Sequence, residues 1–189
     1  MLALFTSTAV VALAEIGDKT QLLAIVLAAR FKRPLPIILG ILVATLLNHA
    51  LAATVGAQAA SILEGKWFRY AIAASFIAMA LWTLVPDKLE EEAQKPARFG
   101  AFLTTVIAFF LVEMGDKTQI ATVALGARFD NILLVTAGTT LGMMLANVPA
   151  VFLGNELIKR VPLHIVRAIA ALLFLAIGLW LLAQTAGLI

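Results

Sequence analysis

Cysteine is absent from this 189-residue chain, which excludes a disulfide framework and any thiolate metal site. Charge is scarce as well. Asp, Glu, Lys and Arg make up 13% of residues, against about 25% in an ordinary soluble domain. No glycine-rich loop ending in Lys-Ser/Thr is present, and little chain is left over for a soluble nucleotide-binding domain. No basic segment precedes the first apolar run, which continues past Glu15, so a cleaved signal peptide is not expected.

Apolar residues fill the space: 62% of the chain, with a mean hydropathy of +1.02. That is more apolar surface than one modest core can hide, so the expected solvent is lipid. Apolar segments run over about 2–29, 35–61, 67–85, 99–127, 132–157 and 163–186, each long enough to span a bilayer. Trp67, Tyr70, Trp82 and Trp180 fall near segment ends, as interfacial aromatics do. The net charge of +3 and pI near 9.5 would suggest nucleic acid in a soluble protein. Here the basic residues lie in short connections and read as topology signals, with no nucleic-acid partner expected. Arg30, Lys32, Arg33, Lys88, Lys95, Arg98, Lys159, Arg160 and Arg167 belong to the odd-numbered connections; only Lys66, Arg69 and Arg128 belong to the even ones. The bias puts the odd connections in the cytoplasm and both termini outside it.

Shifted by 98 residues, the chain overlays on itself without gaps. Glu15-Ile16-Gly17-Asp18-Lys19-Thr20-Gln21 falls on Glu113-Met114-Gly115-Asp116-Lys117-Thr118-Gln119. The same offset matches Ala29-Arg30-Phe31 with Ala127-Arg128-Phe129, Gly40 with Gly138, Gly56 with Gly154, Arg69 with Arg167, Phe76 with Phe174 and Trp82 with Trp180. One offset kept through glycines, charges and tryptophans is a duplication. The expected fold is an all-α integral membrane protein of six transmembrane helices: repeat one over 1–85, a cytoplasmic linker over 86–98 and repeat two over 99–189. Three helices per copy is an odd number, so the second copy enters the membrane from the opposite side, giving an inverted-topology repeat.

Glu15, Asp18 and Lys19 lie midway along the first apolar segment, and Glu113, Asp116 and Lys117 midway along the fourth. A charge at the centre of a spanning helix costs roughly 2.5–3.5 kcal/mol, about 18 kcal/mol for all six before pairing. Such groups must face a protein interior or a water cavity and find partners there. On a continuous helix Glu15, Asp18 and Gln21 form one stripe of oxygens, with Lys19 on its flank, four residues from Glu15, where the two can pair. Gly17 and Gly115 weaken the helix just before each aspartate and make a local break conceivable.

Each motif carries net −1, so two facing motifs carry −2, a balance suited to one divalent cation. The ligands on offer are oxygens, which favours Mn²⁺, Ca²⁺ or Mg²⁺ over Cu(I) or Zn²⁺. Protons compete for the same oxygens, the physical basis of exchange. Purely structural Glu–Lys pairs leave Asp18 and Asp116 without a purpose; a proton relay without metal is the other reading. At related depth stand Asn48, His49 and Asn147, which can add a ligand or bond a neighbouring helix. Thr20 and Thr118 can bond back to their own helix or act as ligands. His164 is expected at the interface.

Paired E-x-G-D-K/R-T/S motifs in a small chain of six spans resemble the manganese/calcium–proton exchangers whose human member is transmembrane protein 165, with manganese exporters among the bacterial relatives. The resemblance covers the whole chain. It implies that Glu15, Asp18, Glu113 and Asp116 hold the cation, with Thr20, Gln21, Thr118 and Gln119 beside them and Lys19 and Lys117 in support. It further implies Mn²⁺ export in exchange for protons, or alternatively Ca²⁺/H⁺ exchange or proton-coupled export of another solute. The chain's brevity points to a bacterial inner membrane. No prosthetic group is expected, and a homo-oligomer is compatible with the sequence. A membrane hydrolase fits poorly, because no nucleophilic serine or cysteine neighbours either motif. An assembly subunit leaves the duplicated acids unexplained.

Overall fold

The computed structural model describes residues 1–63, 65–85, 99–154 and 162–188, and among them it is all helix. The helices are α1 (Leu2–Glu15), α2 (Lys19–Phe31), α3 (Pro34–Ile62), α4 (Lys66–Thr83), α5 (Ala101–Glu113), α6 (Lys117–Phe129), α7 (Ile132–Leu153) and α8 (Leu163–Ala186). The six apolar segments thus yield eight described helices, because the first and fourth each divide at the acidic motif. The linker over 86–98 and the expected end of the fifth segment at 154–157 lie wholly or largely outside the described residues.

The duplication is visible helix by helix. The shared offset carries α2 onto α6 end to end and sets the starts of α3 and α7 at Pro34 and Ile132. Even the short link after α2 repeats: Lys32 and Asp130 both adopt the left-handed conformation, with φ of 52° and 47°. Each backbone N–H there closes onto a carbonyl four residues back, Ala28 and Gly126, ending the helix. Proline at the first position starts α3, and the Asn131 side chain accepts from Leu134 N at 2.9 Å to start α7.

Packing is reciprocal. α1 lies along α7 while α5 lies along α3; α3 also meets α6 as α7 meets α2; and α4 runs beside α8. Phe76 and its own counterpart Phe174 touch, ring centroids 6.2 Å apart. Contacts made by helices of the first half are thus matched by contacts between their counterparts in the second. Glycines permit the closest approaches: a Cβ on Gly142 would stand 2.7 Å from the Thr8 carbonyl oxygen, and one on Gly126 2.5 Å from that of Ala53.

Polarity is inside out. Leu46, Leu47, Leu51, Val55, Leu141, Leu145, Leu172 and Leu179 are exposed, whereas Glu15, Asp18, His49, Glu113, Asp116, Lys117 and Asn147 are buried. Water would not tolerate the first set outside, and an apolar core would not tolerate the second unpaired. A surrounding bilayer satisfies both. Three helices, α3, α7 and α8, are each long and apolar enough to cross it; α1 and α5 are apolar but shorter.

Candidate cation site

The motif breaks its helix because of glycine. Gly17 and Gly115 have φ of 82° and 78°, left-handed values that a side chain makes costly. α1 and α5 therefore stop at Glu15 and Glu113, and α2 and α6 start afresh with Asp18 and Asp116 as N-caps. A backbone bond spans each break: Asp18 N to the Glu15 carbonyl and Asp116 N to that of Glu113, both 3.0 Å. Gln21 reaches back so that its Oε1 accepts from Gly17 N at 2.9 Å, and Gln119 likewise from Gly115 N at 2.6 Å. Each amide nitrogen then bonds the other repeat, Gln21 Nε2 to the Ala146 carbonyl at 3.0 Å and Gln119 Nε2 to Asn48 Oδ1 at 3.4 Å. The glutamines bind the broken strands to α7 and α3.

The breaks overturn the continuous oxygen stripe and the Glu15–Lys19 pair expected from helical spacing. Lys19 instead crosses to the other repeat, its Nζ 3.0 Å from Asp116 Oδ1, and Lys117 Nζ reaches Asp18 Oδ1 at 2.5 Å. With the helix interrupted between them, Glu15 and Lys19 no longer share a face, and the facing aspartate is nearer. Thr20 and Thr118 donate to Glu15 and Glu113 across the break, the second at 2.5 Å, and not to their own helix carbonyls.

The second-rank residues assemble in the same crossed way. His49 Nε2 on α3 lies 3.4 Å from Glu113 Oε1, and its counterpart Asn147 on α7 places Nδ2 3.5 Å from Glu15 Oε2. Asn48 donates to the Phe110 carbonyl at 3.0 Å, holding α3 to α5. Spacing could not reveal the Ala146 and Phe110 carbonyls as partners, since any residue type supplies one. The exception is the offset itself, which equates Ala146 with Asn48. His164 is exposed at the start of α8.

Glu15, Glu113 and Asp116 each bring an oxygen within 4.8 Å of the others. Oxygen ligands bind Ca²⁺ or Mg²⁺ at about 2.0–2.6 Å, so opposite ligands stand roughly 4–5 Å apart. The triad has that span. Glu15 Oε1, Glu113 Oε2 and Asn147 Oδ1 are buried without a hydrogen-bond donor among the described residues. The two lysine–aspartate pairs cancel, so the glutamates leave the cluster at −2 when ionised. The carboxyl ends of α1 and α5 point partial negative charge at the same place. The N-termini of α2 and α6 oppose them with partial positive charge, so the excess negative charge rests on the two glutamates.

The two motifs differ in exposure. A Cβ on Gly17 would stand 2.8 Å from Leu163 Cδ2, whereas none of the described residues comes within 4 Å of one on Gly115. Met114 is 55% exposed, and Lys19, whose amine sits at Asp116, is more exposed than buried Lys117.

A helical membrane protein with broken helices meeting at buried acids belongs to the class of ion transporters. Comparison with known proteins assigns the family: the profile described as "Divalent cation/proton antiporter GDT1" matches residues 3–91 and again 101–188, and the chain belongs to that family. It is 49% identical over 180 residues to a Vibrio cholerae protein named "Putative manganese exporter", covering 95% of this chain and 90% of that one. A GDT1-like protein of Synechocystis is 31% identical over 196 residues, covering 92% of this chain and 94% of its own length. GDT1-like protein 5 of Arabidopsis thaliana is 29% identical over 211 residues, with 92% of each chain covered. No solved structure matches.

Proposed function

We propose that this chain exports Mn²⁺ across a bacterial inner membrane in exchange for protons, through one site shared by two inverted repeats. The observation that carries the reading is the meeting of Glu15, Glu113 and Asp116, drawn from both repeats, in an interior surrounded by apolar helices. In this reading α1–α2 and α5–α6 are discontinuous spans, which with α3, α4, α7 and α8 make six. Repeat one covers 1–85 and repeat two 99–189. Support for the inversion comes from the reciprocal packing and the odd number of spans per repeat. Support for both termini outside the cytoplasm comes from the Lys and Arg bias.

The two glutamates take the ion's charge, and Asp116 completes the triad by sharing itself between the metal and Lys19. Asp18 serves as the counter-charge of Lys117 and caps α2. Thr20, Thr118, His49 and Asn147 orient the glutamate oxygens. Protons arriving at those oxygens displace the metal, so an inward proton gradient drives the cation out. The covered Gly17 break and the open Gly115 break fit a conformation with access from one side. Mn²⁺ is preferred over Ca²⁺ on the similarity to the Vibrio protein. Purified protein in liposomes, given each metal under an imposed proton gradient, tests the reading: Mn²⁺ movement coupled to proton counterflow is expected, and Ca²⁺ movement without Mn²⁺ movement would overturn it.

A further inference from the structure

Among the side chains that recur at the 98-residue offset without joining the acidic cluster are Arg30/Arg128, Phe31/Phe129, Arg69/Arg167 and Trp82/Trp180. One member of each pair, namely Arg128, Phe129, Arg69 and Trp180, lies on two adjoining cavities. They sit at the end of the bundle where α3, α6 and α8 finish and α4 starts. The first cavity, about 690 Å³, has Arg69, Arg128, Gln184 and Thr185 as its polar walls. The second, about 550 Å³, is an apolar groove with Phe5, Phe76, Phe129, Ile177 and Trp180 along it. Arg128 and Leu181 line both, so the polar chamber and the apolar groove adjoin.

The Arg128 guanidinium is held in place. It lies 5.7 Å from the Phe129 ring centroid and 5.4 Å from that of Trp180, and Nη2 donates to Gln184 Oε1 at 3.2 Å. Its Nε is buried and has no acceptor among the described residues. Among the described residues, neither Arg69 nor Arg128 forms an ion pair, and none of the described lining residues is acidic. A fixed, planar donor fork sharing its cavity with a second arginine is complementary to a phosphate oxygen anion. The apolar groove adjoining it, with Phe5 exposed at its wall, is complementary to a hydrocarbon chain. Trp67, Tyr70 and Trp180 mark this end as the membrane interface.

We propose that the paired cavity binds an anionic glycerophospholipid, its phosphodiester between Arg69 and Arg128 and one acyl chain in the groove bounded by α1, α4, α6 and α8. A free phosphate ion would use only the polar half and leave the groove without purpose. The site stands apart from the cation cluster and does not depend on the transport reading.

Native mass spectrometry of the full chain in detergent tests it, with dioleoyl phosphatidylglycerol, dioleoyl phosphatidylcholine and inorganic phosphate as probes. Phosphatidylglycerol should be retained at concentrations roughly tenfold lower than phosphatidylcholine, as expected when two basic side chains meet an anionic headgroup. The preference should vanish in Arg69→Gln/Arg128→Gln and persist in Arg69→Lys/Arg128→Lys, which keeps the charge. In a Trp67→Phe/Trp82→Phe background, phosphatidylglycerol with brominated chains should quench Trp180 more than brominated phosphatidylcholine does. Equal retention of the two lipids, an unchanged preference in the glutamine variant, equal quenching, or displacement of the lipid by inorganic phosphate would each overturn the proposal.

Discussion

Lys117 Nζ stands 2.5 Å from Asp18 Oδ1, an ion pair joining the second repeat to the first, and both residues are buried. Removing one partner strands the other charge in a medium that cannot solvate it, at a cost of about 3–5 kcal/mol. Asp18→Asn should therefore lower the unfolding midpoint in detergent markedly, and adding Lys117→Met should restore most of it. If the single variant melts with the wild type, the pair does not hold the repeats together.

The glutamates carry the charge left after the lysines and aspartates cancel. Glu15→Gln or Glu113→Gln changes that remainder from −2 to −1 while preserving shape. Since losing even an outer partner of a metal ligand costs 10–100-fold, losing a ligand should reduce Mn²⁺ transport in liposomes by about 100-fold or more. Asp18→Asn combined with Asp116→Asn should also abolish transport with the protein still inserted. Cells that keep their Mn²⁺ tolerance with this double variant would sink the cation-site reading.

Thr20 and Thr118 donate to Glu15 and Glu113 across the helix breaks. Valine keeps the volume and removes the donor, leaving a buried oxygen without its bond at a cost of about 1–3 kcal/mol. Thr118→Val should raise the Mn²⁺ concentration for half-maximal transport, and Thr118→Ser should not. Equal behaviour of the two would mean that the hydroxyl plays no part.

Alanine at either motif glycine must adopt a left-handed backbone, costing about 1–2 kcal/mol. At Gly17 it also meets Leu163, 2.8 Å from the new Cβ, whereas at Gly115 it meets none of the described residues. Gly17→Ala should be the more destabilising in thermal unfolding. Leu163→Ala should recover part of that loss but combine additively with Gly115→Ala. Identical coupling at both glycines would contradict the one-sided cover.

The duplication and its register were legible in the sequence because both copies kept the same length from Glu15 through Trp82. The acids stood out in the sequence because lipid makes a buried charge conspicuous, and the structure brings Glu15, Glu113 and Asp116 together. The breaks were less so: glycine is tolerated within spanning helices, and only its φ of 82° or 78° identifies a turn. Lys19 was assigned to Glu15 because spacing counts neighbours along one helix. Asp116 is 97 positions away, and only the packing of the two repeats makes it the partner. The groove beside Trp180 was equally hidden, because it needs four helices to enclose it.

The crossed lysines bear on ancestry. A solitary copy of the three-helix unit would bring Lys19 and Asp18 into hydrocarbon with neither of their present counterparts, and Glu15 with no facing acid. On the proposed inverted topology, the unit before gene fusion would have worked as an antiparallel homodimer, the same polypeptide inserted in both senses. Expressing residues 1–85 and 99–189 as separate chains should then reconstitute one functional pair.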